Sequence, residues 1–237
     1  MKIEFSSFTN VGPRSSNDDR LLEPLGAADP KLIVAIADGI GGAAGGGEAA
    51  NIAINKISEA GPVPTKFSEV FSSIVDAIRA QAISSPDLAK MGTTLSAAAI
   101  VEDRIFVAHV GDTRIYHLRK SGLNTLTQDQ TEIAELVRKG VFTDSQARRY
   151  PRRNVLLSAL SAEAEFEIYY NEALLREKDR IILLSDGVHQ RVTRREILRM
   201  SLESSDINML VNAIERKVAE SKPSDNYTLL AIEILEL

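Results

Sequence analysis

Residues 32–37, Leu-Ile-Val-Ala-Ile-Ala, form an unbroken apolar run that ends at Asp38-Gly39. So short a run bounded by a turn signal reads as a buried strand, and such a strand needs cover. Cover is available in the helical periodicities. Phe67, Val70, Phe71, Ile74, Val75 and Ile78 recur at i, i+3, i+4 spacing, so 66–83 is expected to be an amphipathic helix. Another helix is expected over 48–59. A third is opened by Asp206, with Ile207, Leu210, Val211, Ile214 and Val218 on one face. Thr193 with Glu196 makes a capping box that opens a helix before it. Strands are expected at 93–101, 104–110, 113–119, 165–170, 180–185 and 227–235, and Asp129 with Glu132 is expected to cap a helix running to Lys139. Residues 140–163 read as an irregular excursion with a short helix. Two sheets face to face with a helix pair outside each would bury every apolar face. The expected class is therefore α+β, a four-layer αββα sandwich of two antiparallel sheets flanked by helix pairs. With no repeat and no Pro- or Ser-rich linker, 1–237 reads as a single domain carrying a subregion at about 140–163.

Composition narrows the chemistry. There is no cysteine, which excludes disulfides, thiolate metal sites and a cysteine nucleophile. The three histidines, His109, His117 and His189, form no HxH or HxxxH pair, so a multi-histidine centre is not expected. A metal site would be built from oxygen, which favours magnesium, manganese or calcium. The net charge of −5, with both signs spread along the chain, is not the one-sided basic surface that nucleic acid selects. No apolar stretch reaches membrane-spanning length, and the first residues have no signal-peptide pattern. A cytoplasmic protein with no membrane or nucleic-acid partner is expected.

Aspartates stand where strands end: Asp38, Asp112, Asp186, and Asp225 just before the last strand, with Asp18 and Asp19 in a polar turn after Arg14. Each alone could be a turn former or a helix cap. Together they could line one rim of the sheets. Two divalent ions about 4 Å apart repel by roughly 17 kcal/mol at an effective dielectric near 20, so a dinuclear site needs several carboxylates, one of them shared. Such ions lower the pKa of a bound water and polarise a phosphoryl oxygen, so no protein nucleophile is required. Arg14, in a turn made by Gly12-Pro13 and Ser15-Ser16-Asn17, carries a guanidinium fork matched to phosphate oxygens.

Six blocks occur in order: Gly12-Pro13-Arg14-Ser15-Ser16-Asn17-Asp18-Asp19, Ala37-Asp38-Gly39-Ile40-Gly41-Gly42, Gly92-Thr93-Thr94-Leu95, Val110-Gly111-Asp112-Thr113-Arg114, Ser185-Asp186-Gly187 and Ser224-Asp225-Asn226. The chain resembles the bacterial type 2C (PPM) serine/threonine protein phosphatases from about residue 8 to 235. The resemblance implies metal-dependent hydrolysis of phosphoserine and phosphothreonine by a metal-activated water. It implies two tightly bound Mn2+ or Mg2+ ions and a weaker third. Asp38 would bridge, Gly39 would add its carbonyl, and Asp186 and Asp225 would ligate the second ion. Asp18 and Asp19 would act mainly through waters, Asp112 would serve the third ion, and Arg14 would grip the substrate phosphate. The excursion at 140–163, with Tyr150-Pro151-Arg152-Arg153-Asn154, resembles the family's flap, and Arg148, Arg149, Arg152 and Arg153 on it could steer acidic phosphoproteins. A phosphorylated protein substrate, a partner serine/threonine kinase, a signalling role and a monomeric state are the expectations that follow.

The chain departs from the pattern at Asp18, which replaces a glutamate, at Gln190, which replaces an acid, and at Ile40, where eukaryotic members have a histidine. Gln190 keeps open a catalytically weak pseudophosphatase that binds phosphoproteins. A dinucleotide site on Gly39-x-Gly41-x-x-Ala44 fits poorly, because Asp38 would meet the pyrophosphate and no second strand ends at Glu59.

Overall fold

The computed structural model describes residues 1–24, 31–40, 45–147, 149–163 and 165–237, the side chain of Asp144 excepted. Gly41, Gly42, Ala44 and Arg148 lie outside the described residues. The first half runs β1 (Lys2–Asn10), β2 (Asp19–Leu22), β3 (Lys31–Asp38), α1 (Gly46–Ala60), α2 (Phe67–Ser84), β4 (Gly92–Thr93), β5 (Leu95–Val101), β6 (Arg104–Val110), β7 (Arg114–Arg119) and β8 (Gly122–Thr125). The second runs α3 (Glu132–Arg138), α4 (Asp144–Ala147), β9 (Leu160–Ser161), β10 (Tyr169–Leu174), β11 (Arg180–Leu184), α5 (Asp186–His189), α6 (Arg194–Glu203), α7 (Ile207–Glu220) and β12 (Tyr227–Glu236).

Two five-stranded antiparallel sheets result, ordered β1-β12-β11-β7-β8 and β10-β6-β5-β3-β2, with β4 and β9 forming a small pair. The apolar run of β3 is explained by its two faces. Val34 and Ile36 point between the sheets, where they meet the layer containing Ile181, Leu183, Leu230 and Ile232. Ala35 and Ala37 point the other way, toward Ala49, Ala53, Phe71, Ile74 and Ile78 of α1 and α2. Alanines there, joined by Ala97 and Ala99 of β5, let the helices approach the sheet closely. On the other side Ile197, Leu210, Val211 and Ile214 of α6 and α7 cover Ile182, Leu184, Leu229 and Ala231. The four-layer αββα expectation holds.

The capping box at Thr193–Glu196 and the Asp206 cap are both present. Two local expectations change. Helix α3 is capped by Thr131, whose hydroxyl accepts from the Ala134 N–H, while Asp129 turns away to bind Arg114 at 2.6 and 2.9 Å. A half-buried guanidinium making two charge-assisted bonds outcompetes one helix N–H for a carboxylate. The strand expected at 165–170 lies at Tyr169–Leu174, an edge strand alternating half-buried and exposed residues against β6.

Two connections carry the chain from one sheet to the other at the same rim. Residues 11–18 lead from β1 to β2, and Gly111-Asp112-Thr113 leads from β6 to β7. Strands β3 and β11 end at that rim, and β12 starts there.

Candidate active site

The rim holds a cleft of about 460 Å³ lined by Arg14, Asp18, Asp38, Gly39, Asp112, Asp186 and Asp225, among others. Every residue expected to ligate metal or grip phosphate lines it except Asp19, while Gln190, Arg149, Arg152 and Arg153 do not. Asp19 lies one layer below, 3% exposed, in register with Asp38 across the β2–β3 ladder. Its carboxylate accepts from the Ser185 hydroxyl at 2.8 Å.

The main chain at Asp38 is clamped. Its N–H donates to Thr94 Oγ1 at 3.0 Å, and its carbonyl accepts from the Thr93 hydroxyl at 3.0 Å and the Thr94 N–H at 2.9 Å. Gly39 has no room for a side chain: a Cβ would overlap the Gly46 carbonyl where α1 begins. Gly111 adopts φ +109°, which disfavours L side chains, and a Cβ there would run into Thr94. Asp112 follows it with its carbonyl accepting from His189 Nε2 at 3.0 Å.

Asn226 staples the arginine loop to the last strand. Its Nδ2 donates to the Val11 and Ser16 carbonyls at 2.8 and 2.9 Å, and its Oδ1 accepts from the Asp18 N–H at 2.9 Å. Arg14 is thereby set beside Asp225, donating to its Oδ2 at 2.6 Å. The sequence places Asn226 in a motif but assigns it no task. Its only sequence signal is its position between Asp225 and a strand.

The electrostatics are one-sided. Burial pushes the Asp38 carboxyl well above the usual carboxylate range, and Asp19, Asp186, Asp112 and Asp225 push it further. Burial and then Asp186 and Asp129 raise Asp112. Burial, Asp225 and Asp19 raise Asp186 to about 7. Burial raises Asp19 to about 6 against the hydrogen bonds from Thr228 and Ser185. Among the described residues lining the cleft the one cation is Arg14, already committed to Asp225. This donor set, hard oxygen ligands with unbalanced negative charge, fits divalent cations such as Mg2+ or Mn2+. Among the described residues no three acidic or imidazole side chains converge as a closed cage. Arg14, Ser185 and Gln190 donate hydrogen bonds to Asp225, Asp19 and Asp186.

The histidines stay out of the ligand set. His109 bonds Ser96 and the Gly111 carbonyl, and burial lowers it to about 4. His189 is lowered to about 3 by burial and then by Arg114, so it is neutral where it holds the Asp112 carbonyl. His117 pairs with Asp179.

The family model described as protein phosphatase 2C matches residues 13–220. The serine/threonine phosphatase stp of Listeria monocytogenes serovar 1/2a is 30% identical over 215 residues, spanning 86% of this chain and 85% of that protein. The crystal structure of the Mycobacterium tuberculosis serine/threonine phosphatase PstP/Ppp superposes with a TM-score of 0.90 at 28% identity, covering 100% of both chains. The catalytic domain of PstP in complex with two manganese ions gives 0.87 at 27% identity, covering 99% of each chain.

Proposed function

This chain belongs to the protein phosphatase 2C family, and from that membership we propose that the carboxylate cleft hydrolyses phosphoserine and phosphothreonine in proteins with Mn2+ or Mg2+ as cofactor. The observation that carries this reading is the convergence of Asp18, Asp38, Asp112, Asp186 and Asp225 with a single arginine on one cleft.

In this proposal Asp38, the Gly39 carbonyl, Asp186 and Asp225 would hold the two ions. Asp18 on the cleft and the buried Asp19 behind it would act mainly through waters, and Asp112 would serve a further, weaker position. The ions supply Lewis acidity and a lowered pKa for water. The chain's own residues do the rest. Arg14 is half exposed beside the cleft and offers its guanidinium to the phosphate oxygens, where a charge-assisted bond contributes roughly 1.5–3 kcal/mol. Asn226 holds the Arg14 turn, and Thr93 and Thr94 fix the angle of Asp38. Ile40 lines the cleft where a histidine would be a proton donor, so the proton taken up by the leaving oxygen would come from water and not from this side chain.

The whole chain acts as one phosphatase domain, with 140–163 as a flap whose Asn154 and Leu156 reach the cleft. The finer reading is a cytoplasmic monomer in a signalling pathway, opposing a serine/threonine kinase. Among the described residues no helix is long and apolar enough to cross a membrane. The test is release of phosphate from a phosphothreonine peptide with added Mn2+ and with excess chelator. Activity is expected only with metal, and full turnover in chelator would overturn the metal reading.

A further inference from the structure

The segment between β8 and α3 contributes nothing to the expected ligand set, yet one of its residues has every polar atom engaged. The Gln130 N–H donates to the Gly111 carbonyl, and its Oε1 accepts from the Gly111 N–H, both at 2.8 Å. Gly111 immediately precedes Asp112, and because glycine reaches positive φ and negative φ with similar ease, the two bonds from Gln130 select which state the turn takes. In the other direction, the Gln130 carbonyl accepts from the Leu157 N–H and its Nε2 donates to the Glu167 carbonyl, again both at 2.8 Å.

Adjacent residues repeat the pattern. Asp129 takes two guanidinium nitrogens of Arg114, two residues beyond Asp112. Thr131 pairs with Leu156, and the Glu132 N–H donates to the Val155 carbonyl. The Glu132 carboxylate receives the Tyr150 hydroxyl at 2.5 Å and Arg152 at 2.7 and 2.8 Å. Residues 129–132 therefore grip the Asp112 turn on one side and residues 150–157 on the other, and Leu156 lines the cleft itself.

We propose that Gln130 is a positioning residue that sets the Gly111–Asp112 turn and makes ion occupancy of the cleft and the placement of residues 150–157 depend on each other. This rests on the metal reading above. By linkage the dependence is reciprocal: an ion that selects one geometry of the turn selects one placement of the segment, and the converse holds equally.

The test uses the whole chain, with Mn2+ alone as the probe. Calorimetric titration gives its affinity, and the rate of tryptic cleavage within residues 149–153, with and without Mn2+, reports the segment. In the wild type Mn2+ is expected to slow cleavage. Gln130→Ala removes both side-chain bonds and is expected to weaken the Asp112-dependent binding step on the order of tenfold, about what a lost buried hydrogen bond is worth. It should also remove most of the protection. Gln130→Glu keeps an acceptor for the Gly111 N–H but loses the donor to Glu167, whose own N–H ties to Ser158 next to the segment at 3.0 Å, so affinity should return to wild type or better while protection stays reduced. That split is not what a merely structural role produces. If Gln130→Ala does not fold, Glu132→Gln loosens the far side without touching Gly111, and reduced Mn2+ protection is expected there. Unchanged affinity and protection in the folded Gln130→Ala, or unchanged protection in Glu132→Gln, overturns the coupling. A wild type that binds no Mn2+ overturns the metal reading and this inference with it.

Discussion

Replacing Asn226 by alanine removes three hydrogen bonds that hold the Arg14 turn to the last strand. Asn226 is only 7% exposed, so its partners are sheltered from water in the folded protein. Each such bond contributes roughly 0.5–1.5 kcal/mol net. The Val11 and Ser16 carbonyls lie on a surface turn and can rehydrate, so a total of about 2–3 kcal/mol is expected. For a chain of this size that lowers Tm by about 4–12 °C. Catalysis should suffer through Arg14. Once the turn loosens, the guanidinium no longer waits beside the cleft, and kcat/KM should fall roughly tenfold, within the ten- to hundredfold worth of the charge-assisted bond itself. The assay is a double-mutant cycle on kcat/KM with a phosphothreonine peptide at saturating Mn2+, using Asn226→Ala, Arg14→Ala and the pair, with urea melts to confirm folding. If Asn226 acts through Arg14, its removal costs little further activity once Arg14 is gone. Additive losses, or a folded Asn226→Ala with kcat/KM within twofold of wild type, would refute the reasoning.

Arg14→Ala alone is expected to lower kcat/KM ten- to a hundredfold while leaving the Mn2+ titration midpoint nearly unchanged; a large shift in metal affinity would contradict a phosphate-binding role. In metal-stripped protein, Asp19→Asn should be stabilising. Its carboxyl is raised to about 6 from an ordinary value near 3.9, so ionising it costs the fold about 3 kcal/mol at pH 8. A raised carboxylate favours the fold while protonated and loses that contribution as pH rises through the folded pKa, so the variant's advantage should shrink by about half at pH 5. An advantage that does not change between pH 5 and 8, or no advantage at pH 8, counts against it. At the Asp179–His117–Arg119 cluster, burial raises the Asp179 carboxyl but the bonds from Arg119 and His117 outweigh it and hold it below the usual range. Its stabilisation is present above the ordinary carboxylate pKa and is lost as pH falls through the folded value. Asp179→Asn should therefore cost about 2–4 kcal/mol near pH 7 and flatten the acid limb of a stability–pH curve below about pH 4; an unchanged acid limb would count against that pairing.

What could be read from residue order alone was whatever depends on near neighbours. The Thr193–Glu196 box, the Asp206 cap, the stripe of α2 and the apolar run of β3 each follow from contacts within a turn or from the alternation of one strand. The aspartates were also legible as a set, because Asp38, Asp112 and Asp186 mark where apolar runs stop, Asp225 stands just before one begins, and the six motif blocks fall in order. What the tertiary structure decided was which of them meet and what else meets them. Arg14 reaches Asp225 because β1 pairs with β12 across the whole chain length, from Lys2↔Glu236 to Asn10↔Tyr227, and no local pattern encodes that partner. Asp129 read as a cap because Glu132 follows it at capping distance, but folding brings Arg114 to it across the sheet, and a half-buried cation making two bonds binds a carboxylate more strongly than one helix N–H. Asp19 and Asp18 are adjacent and alike in sequence, yet Asp19 opens β2 and is buried opposite Asp38, while Asp18, in the connection before the strand, stays on the cleft. Position along the chain selects the residue types. The side of the sheet on which each falls, settled only when distant strands pair, selects their partners and with them their charge.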